Sequence, residues 1–84
     1  MKVSFTPHAL DDLRWWLAND RKRAERILAL LDEITRSPFA GTGKPEPLKH
    51  QLAGCWSRRI DREHRLVYQI VDQEVLVIAC RYHY

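Results

Sequence analysis

The spacing of apolar and polar positions changes part-way along the chain, and that change sets out an architecture. Residues 1–6 alternate, with Val3 and Phe5 on one side, as a short half-buried strand does. Thr6-Pro7 then marks a helix start, because Thr caps well and Pro at the first helical position gives up only an N–H that would lack a partner. Leu10, Leu13, Trp16 and Leu17 follow at spacings of three and four. Residues 7–18 therefore read as an amphipathic helix, with Asp11 and Asp12 near its positive end. Asn19-Asp20 breaks that helix and caps a second, whose stripe is Ala24, Ile27, Leu28, Leu31 and Ile34. Ser37-Pro38 stops it, since the Pro ring disfavours helical geometry in the residue before it.

The run FAGTGKPEP over residues 39–47 is loop chemistry, and beyond it the period falls to two. Segments 48–53, 55–60, 64–71 and 74–84 are rich in β-branched and aromatic residues, with breaks between them short enough for hairpins. The fold class expected is α+β, as one domain over residues 1–84. An N-terminal strand precedes two helices packed on one face of a mostly antiparallel twisted sheet. Alternation turns Leu66, Tyr68 and Ile70 toward the helices, with Leu76, Ile78, Cys80 and Tyr82 beside them. The open face then carries Arg59, Arg65, Arg81 and His83 together with Val67, Val75 and Val77. Those valines call for a covering partner or second copy, and a bulge in any strand would undo the assignment.

Composition narrows the possibilities. With 84 residues the chain has room for one core, and 14 Lys and Arg against 11 Asp and Glu give a net charge of +3. No apolar run approaches the ~18 residues of a membrane helix. The first twenty residues carry Asp11, Asp12 and Asp20 and do not resemble a signal peptide, so a cytoplasmic protein without membrane contact is expected. Cys55 and Cys80 are too few for a disulfide scaffold and are expected as free thiols, and the His and Cys spacings suit no zinc site. The positive charge concentrates in residues 44–65, where Lys44, Lys49, Arg58, Arg59, Arg62 and Arg65 outnumber Glu46, Asp61 and Glu63. Such a patch suits a phosphate-bearing partner, although a solubilising face has the same pattern.

Two residues suggest chemistry. Glu46 stands between Pro45 and Pro47, whose rings fix their own φ angles, so its carboxylate sits on a stiff loop. His83 lies beside the last residue, and histidine gains and loses a proton near neutral pH. Metal-free RNA cleavage needs a base for the 2′-hydroxyl, an acid for the departing 5′-oxygen and cations for the charge that builds on phosphorus. Glu46, His83, Arg65 and Lys49 could fill those roles. No phosphate-binding loop, dinucleotide fingerprint, nucleophile elbow or acidic Mg²⁺ cluster is present in the sequence.

The stretches TRSPFAGTGKPEPLKH, WSRRI, EHRLVY and ACRYHY resemble the YoeB toxins of the RelE/ParE superfamily, strongly over residues 35–84 and by pattern over the helices. The resemblance implies a fold like that of RelE and the small microbial ribonucleases. The implied activity is ribosome-dependent: an mRNA endoribonuclease that cuts in the A site of the 70S ribosome through a 2′,3′-cyclic phosphate, without cofactor or metal. By position, Glu46 matches the general base, His83 the general acid and Arg65 the phosphate-stabilising residue. Lys49 and Arg59 match supporting cations that bind the message or the scissile phosphate, and Tyr84 matches the terminal tyrosine that helps place substrate. The implied partners are a YefM-like antitoxin that holds the toxin inactive, the ribosome with its message, and a second copy in a homodimer. Arg21, Lys22, Arg23 and Arg26 on the second helix would face ribosomal RNA. Cys55 departs from the aromatic or aliphatic residue expected there. In the Trp15-Trp16 pair, one ring is expected in the core and the other on a partner. The competing expectation is a basic module that occupies the ribosome or an antitoxin without cutting RNA.

Overall fold

The computed structural model describes residues 1–81. β1 (Lys2–Phe5) leads into α1 (Pro7–Asn19) and α2 (Arg21–Arg36). The short β2 (Glu46–Pro47), a 3₁₀ turn at His50–Leu52, β3 (Trp56–Arg59), β4 (Arg65–Val71) and β5 (Glu74–Ala79) complete the chain. The five strands form one sheet in the order β1-β5-β4-β3-β2, with β1 parallel to β5 and every other pair antiparallel. The α+β architecture expected from the sequence is the one observed.

The helix ends follow the capping chemistry of the sequence. Thr6 Oγ1 accepts from the Ala9 amide at 3.1 Å and donates to the Ile78 carbonyl at 3.1 Å, so one hydroxyl both starts α1 and ties it to β5. Asp20 joins the helices: its amide donates to the Trp16 carbonyl while its carboxylate accepts from the Arg23 amide. The core lies between the helices and one sheet face. Ala9, Leu13 and Trp16 of α1 and Ala24, Ile27, Leu30, Leu31 and Ile34 of α2 pack there against Leu66, Tyr68, Val75 and Val77. Leu10, Leu17 and Leu28, expected in the two stripes, are exposed, because Ala9, Asp12 and Leu30 take the inward positions instead.

The face assignment for the last strand needs correction. Asp72 and Gln73 both adopt positive φ, 50° and 62°, making a two-residue turn that sets Val71 opposite Glu74 and Ile70 opposite Val75. Directly opposite residues share a face, so Val75 and Val77 point into the helix core with Ile70 and Tyr68, while Leu76 and Ile78 take the other side. A bulge then intervenes: Tyr68 faces Val77 but Val67 faces Ala79, leaving Ile78 as the extra residue. The shift returns Cys80 to the helix side. Val67 needs no partner protein to cover it, because it packs with Cys55 and Ala79 under Leu48, Leu52 and Ile78. Residues 48–53, expected as a strand, form that cover as a turn, since the β2–β3 pairing forces the chain to reverse between Leu48 and Cys55. β5 stops at Ala79, and the predicted continuation to residue 84 passes outside the described residues.

Asp61 fastens α2 to the turn between β3 and β4. It accepts from Arg23 Nε at 2.8 Å and from the Glu63 and His64 amides, with His64 Nδ1 3.0 Å away. Burial pushes the Asp61 carboxyl up, but the hydrogen bonds from Arg23, Glu63 and His64 outweigh it and hold the group down at about 2. A carboxyl lowered in the folded state stabilises the protein above its unfolded pKa and ceases to do so as pH falls through the folded value. Asp61→Asn should therefore cost about 2 kcal/mol of unfolding free energy at pH 7. The gap from wild type should close between about pH 4 and pH 2, as read by urea denaturation across that range.

Candidate active site

The far face of the sheet, away from the helices, gathers part of the expected constellation. Glu46 pairs across β2–β3 with Ser57, Ser57 pairs with Val67, and Arg59 pairs with Arg65, so these side chains project to one side. Arg65 Nη1 donates to Glu46 Oε1 at 2.9 Å, with the Arg65 side chain 14% and that of Glu46 44% exposed. The guanidinium is thus recessed and the carboxylate reachable. Arg59 is exposed beside them, and Lys49 is exposed on the turn that leaves β2. Arg81 is not part of this surface. Its guanidinium carbon lies 3.6 Å from the centroid of the Trp15 ring, over α1. His83 and Tyr84 lie outside the described residues.

A residue counted in the sequence only for its charge shapes the approach to Glu46. Arg58 has no exposed surface, yet all five of its N–H donors are used. Nε reaches the Tyr68 hydroxyl; Nη1 reaches Glu33 Oε1 at 2.7 Å and the Thr42 carbonyl; Nη2 reaches the carbonyls of Ser37 and Ala40. Tyr68 in turn donates to the Pro38 carbonyl at 2.6 Å. The loop that ends in Glu46 is therefore wrapped around one buried cation. Gly41 adopts φ 121° within this wrap, where a Cβ would collide with the Glu33 carboxylate. The Thr42 amide and hydroxyl, followed by Arg58, hold Glu33 below the usual carboxylate range. The signal was available in the sequence: an arginine two residues before Ile60, at a position whose side chain must enter the core.

Sequence reasoning also passed over Ser57, 1% exposed between Glu46 and Val67, whose hydroxyl has no hydrogen-bond partner among the described residues. On α2, Arg23 is committed to Asp20 and Asp61, and Arg26 to the Ile60 and Arg59 carbonyls. Both act as struts, although Arg26 remains exposed, as do Arg21, 3.9 Å from Glu25, Lys22 and Arg36. Among the described residues no three His, Cys, Asp or Glu side chains cluster as a metal site would need.

Residues 5–84 match the family of YoeB-like toxins of bacterial type II toxin-antitoxin systems. The chain belongs to that family. It is 58% identical over 82 residues to Toxin YoeB of Mycobacterium bovis, an alignment that covers 98% of this chain and 96% of the relative. The YoeB/ParE toxin from Agrobacterium tumefaciens superposes with a TM-score of 0.97 at 48% identity, covering 100% of both chains. A Staphylococcus aureus relative in a heterotetrameric YoeB-YefM toxin-antitoxin complex superposes at 0.91 with 42% identity, over 100% of this chain and 98% of that one. The S. aureus YoeB dimer gives 0.92 at 42% identity, with the same coverage. A YoeB-like toxin, then, carries Glu46 and Arg65 in direct contact on its sheet, behind a loop fastened by Arg58.

Arg58→Met should leave several carbonyls and the Glu33 carboxylate without their donor. The expected loss is about 3–5 kcal/mol of unfolding free energy, measurable by urea denaturation at neutral pH.

Proposed function

We propose that this toxin is a ribosome-dependent mRNA endoribonuclease acting by metal-free acid–base catalysis in the A site, and that its place of action is the cytoplasm. The observation that carries the reading is the 2.9 Å contact between Glu46 and Arg65 on an exposed sheet face flanked by Arg59. A carboxylate and a guanidinium in contact are the base and the phosphate-binding cation that 2′-hydroxyl attack requires.

In the proposed reaction the scissile phosphate draws on the Arg65 guanidinium, a planar fork suited to two phosphate oxygens. As Arg65 turns to phosphate, Glu46 is released to take the proton from the 2′-hydroxyl. The 2′-oxygen attacks phosphorus, the P–O5′ bond breaks, and the imidazolium of His83 gives its proton to the leaving 5′-oxygen. The products are a 2′,3′-cyclic phosphate and a 5′-hydroxyl end. Lys49 and Arg59 bind the message, and Tyr84 helps to place it. Among the described residues few aromatic platforms stand on this face, whereas stacking is worth ~1–3 kcal/mol per base to proteins that hold free single strands. That shortage supports a role for the ribosome in presenting the message.

A YefM-like antitoxin is proposed as the inhibitor, on the strength of the S. aureus complex, and a homodimer is proposed from the S. aureus dimer. The antitoxin would cover Arg59, Arg65 and the C-terminal residues with acidic and apolar groups.

The test is a reconstituted translation reaction with a message stalled at a defined codon, with RNA ends mapped by primer extension and EDTA-treated free RNA alongside. A new end within the A-site codon is expected. Glu46→Gln and His83→Ala should each lower the rate by ~10²- to 10⁴-fold while ribosome binding persists. Arg65→Lys should also be impaired, because a lysine cannot grip phosphate in the bidentate way. Normal cleavage by His83→Ala would remove His83 from the mechanism. Ribosome binding without any cut would make the protein a blocking module.

A further inference from the structure

The chain that leads to His83 is bolted to a single face of α1. Just past the end of β5, the Cys80 amide donates to Asp12 Oδ2 at 2.9 Å, across 68 residues of sequence. The Cys80 carbonyl accepts from Trp16 Nε1 at 2.6 Å, and its thiol lies 3.6 Å from the Ala9 carbonyl. One residue further, the Arg81 guanidinium stacks on Trp15. Ala9, Asp12, Trp15 and Trp16 follow one another at spacings of three, three and one, so a single stripe of α1 makes all four contacts.

Two features set this cluster apart from ordinary packing. Asp12 is only 7% exposed, and a carboxylate is costly to bury unless it has a specific hydrogen bond to accept. The Cys80 amide donates to it, and His8 Nε2 lies 3.5 Å away. Trp15 is half-buried and turns its face to Arg81 rather than outward to a partner protein. Burial, aided by Asp12, pushes the Cys80 thiol up to about 12, so this cysteine contributes packing and backbone hydrogen bonds rather than reactivity.

We propose that Asp12, Trp15 and Trp16 are positioning residues for catalysis. They hold Cys80 and Arg81 on α1, and so set the point from which the chain runs on to His83. The proposal rests on the reading of His83 as the general acid. A chain end without such anchorage frays. His83 follows Arg81 by two residues, which span at most about 7 Å, so the place where Arg81 is held bounds the reach of the acid. Misplacement of a reacting group by about 1 Å can cost ~10²-fold in rate.

The test uses Trp15→Leu and Arg81→Met, which remove the stack but keep the buried hydrogen bonds of Cys80. Trp15→Tyr and Arg81→Lys serve as conservative partners, since each retains an aromatic face under a cation. Single-turnover cleavage on stalled ribosomes, ribosome affinity and thermal unfolding are measured for each, with His83→Ala in parallel. Trp15→Leu and Arg81→Met should cleave ~10²-fold more slowly. Their ribosome affinity should stay within about twofold of wild type, and Trp15→Tyr and Arg81→Lys should recover most of the rate. In Asp12→Asn the Cys80 amide should exchange with solvent faster, a readout that needs no activity. Folded Trp15→Leu and Arg81→Met proteins that cleave at the wild-type rate, with His83→Ala inactive, would overturn the positioning role. A loss of affinity that matches the loss of rate would also overturn it, making Arg81 and Trp15 a binding surface. Full activity in His83→Ala would instead defeat the reading of the acid itself, and the positioning role with it.

Discussion

A guanidinium with no surface in water is tolerable only when every one of its donors finds an oxygen, and Arg58 meets that condition by drawing in three separate parts of the chain. Glu33 comes from α2, the carbonyls of Ser37, Ala40 and Thr42 from the loop, and the Tyr68 hydroxyl from β4. Replacing the arginine with an apolar residue of like volume would fill the same space, yet it would leave the loop nothing to wind around. The loop is short of regular structure and rich in Gly and Pro, so its shape comes from this cation rather than from its own propensity. The Gly43 carbonyl then accepts from the Arg59 amide at 2.7 Å, three residues before Glu46. Placement of the proposed base is thus a consequence of a buried arginine on the opposite side of the sheet.

Much of the architecture was legible from local rules. The Thr6-Pro7 and Asp20 caps and the Pro38 stop mark real helix ends, and the two-residue turn at Asp72-Gln73 is a real hairpin. What misled was the extension of side-chain parity from one strand to the next without the turn between them. A two-residue turn pairs an even position with an odd one, so Ile70 sits opposite Val75 and the faces of β5 exchange. The Ile78 bulge then reverses that exchange within a single strand, and no period-two pattern carries such information. The parallel pairing of β1 with β5 was equally silent, since it depends on contacts between the two ends of the chain.

The same division holds for the site. Glu46, Arg65, Arg59 and Lys49 stand out in the sequence through prolines, charge and family resemblance, and the first three do share a surface. The supporting residues stand out less. Asp12 looks like a helix-dipole residue, Trp15 like a contact for another protein, and Arg23 and Arg26 like a basic helix face. Asp12, Arg23 and Arg26 instead bond to partners 33 to 68 residues away in sequence, and Trp15 takes the Arg81 guanidinium. Polar residues that organise a small fold resemble surface residues until the distant partner is known.

The link between the chain's two ends also bears on synthesis. β1 has no strand to join until β5 exists; the Thr6 hydroxyl waits for Ile78, and the Asp12 carboxylate waits for Cys80. Contacts of such long sequence separation form late and slow the folding of small domains. A nascent chain whose β5 is still inside the ribosomal tunnel can make its two helices but cannot close its sheet. The sheet closes only once β5 has left the kind of machine the toxin is proposed to attack.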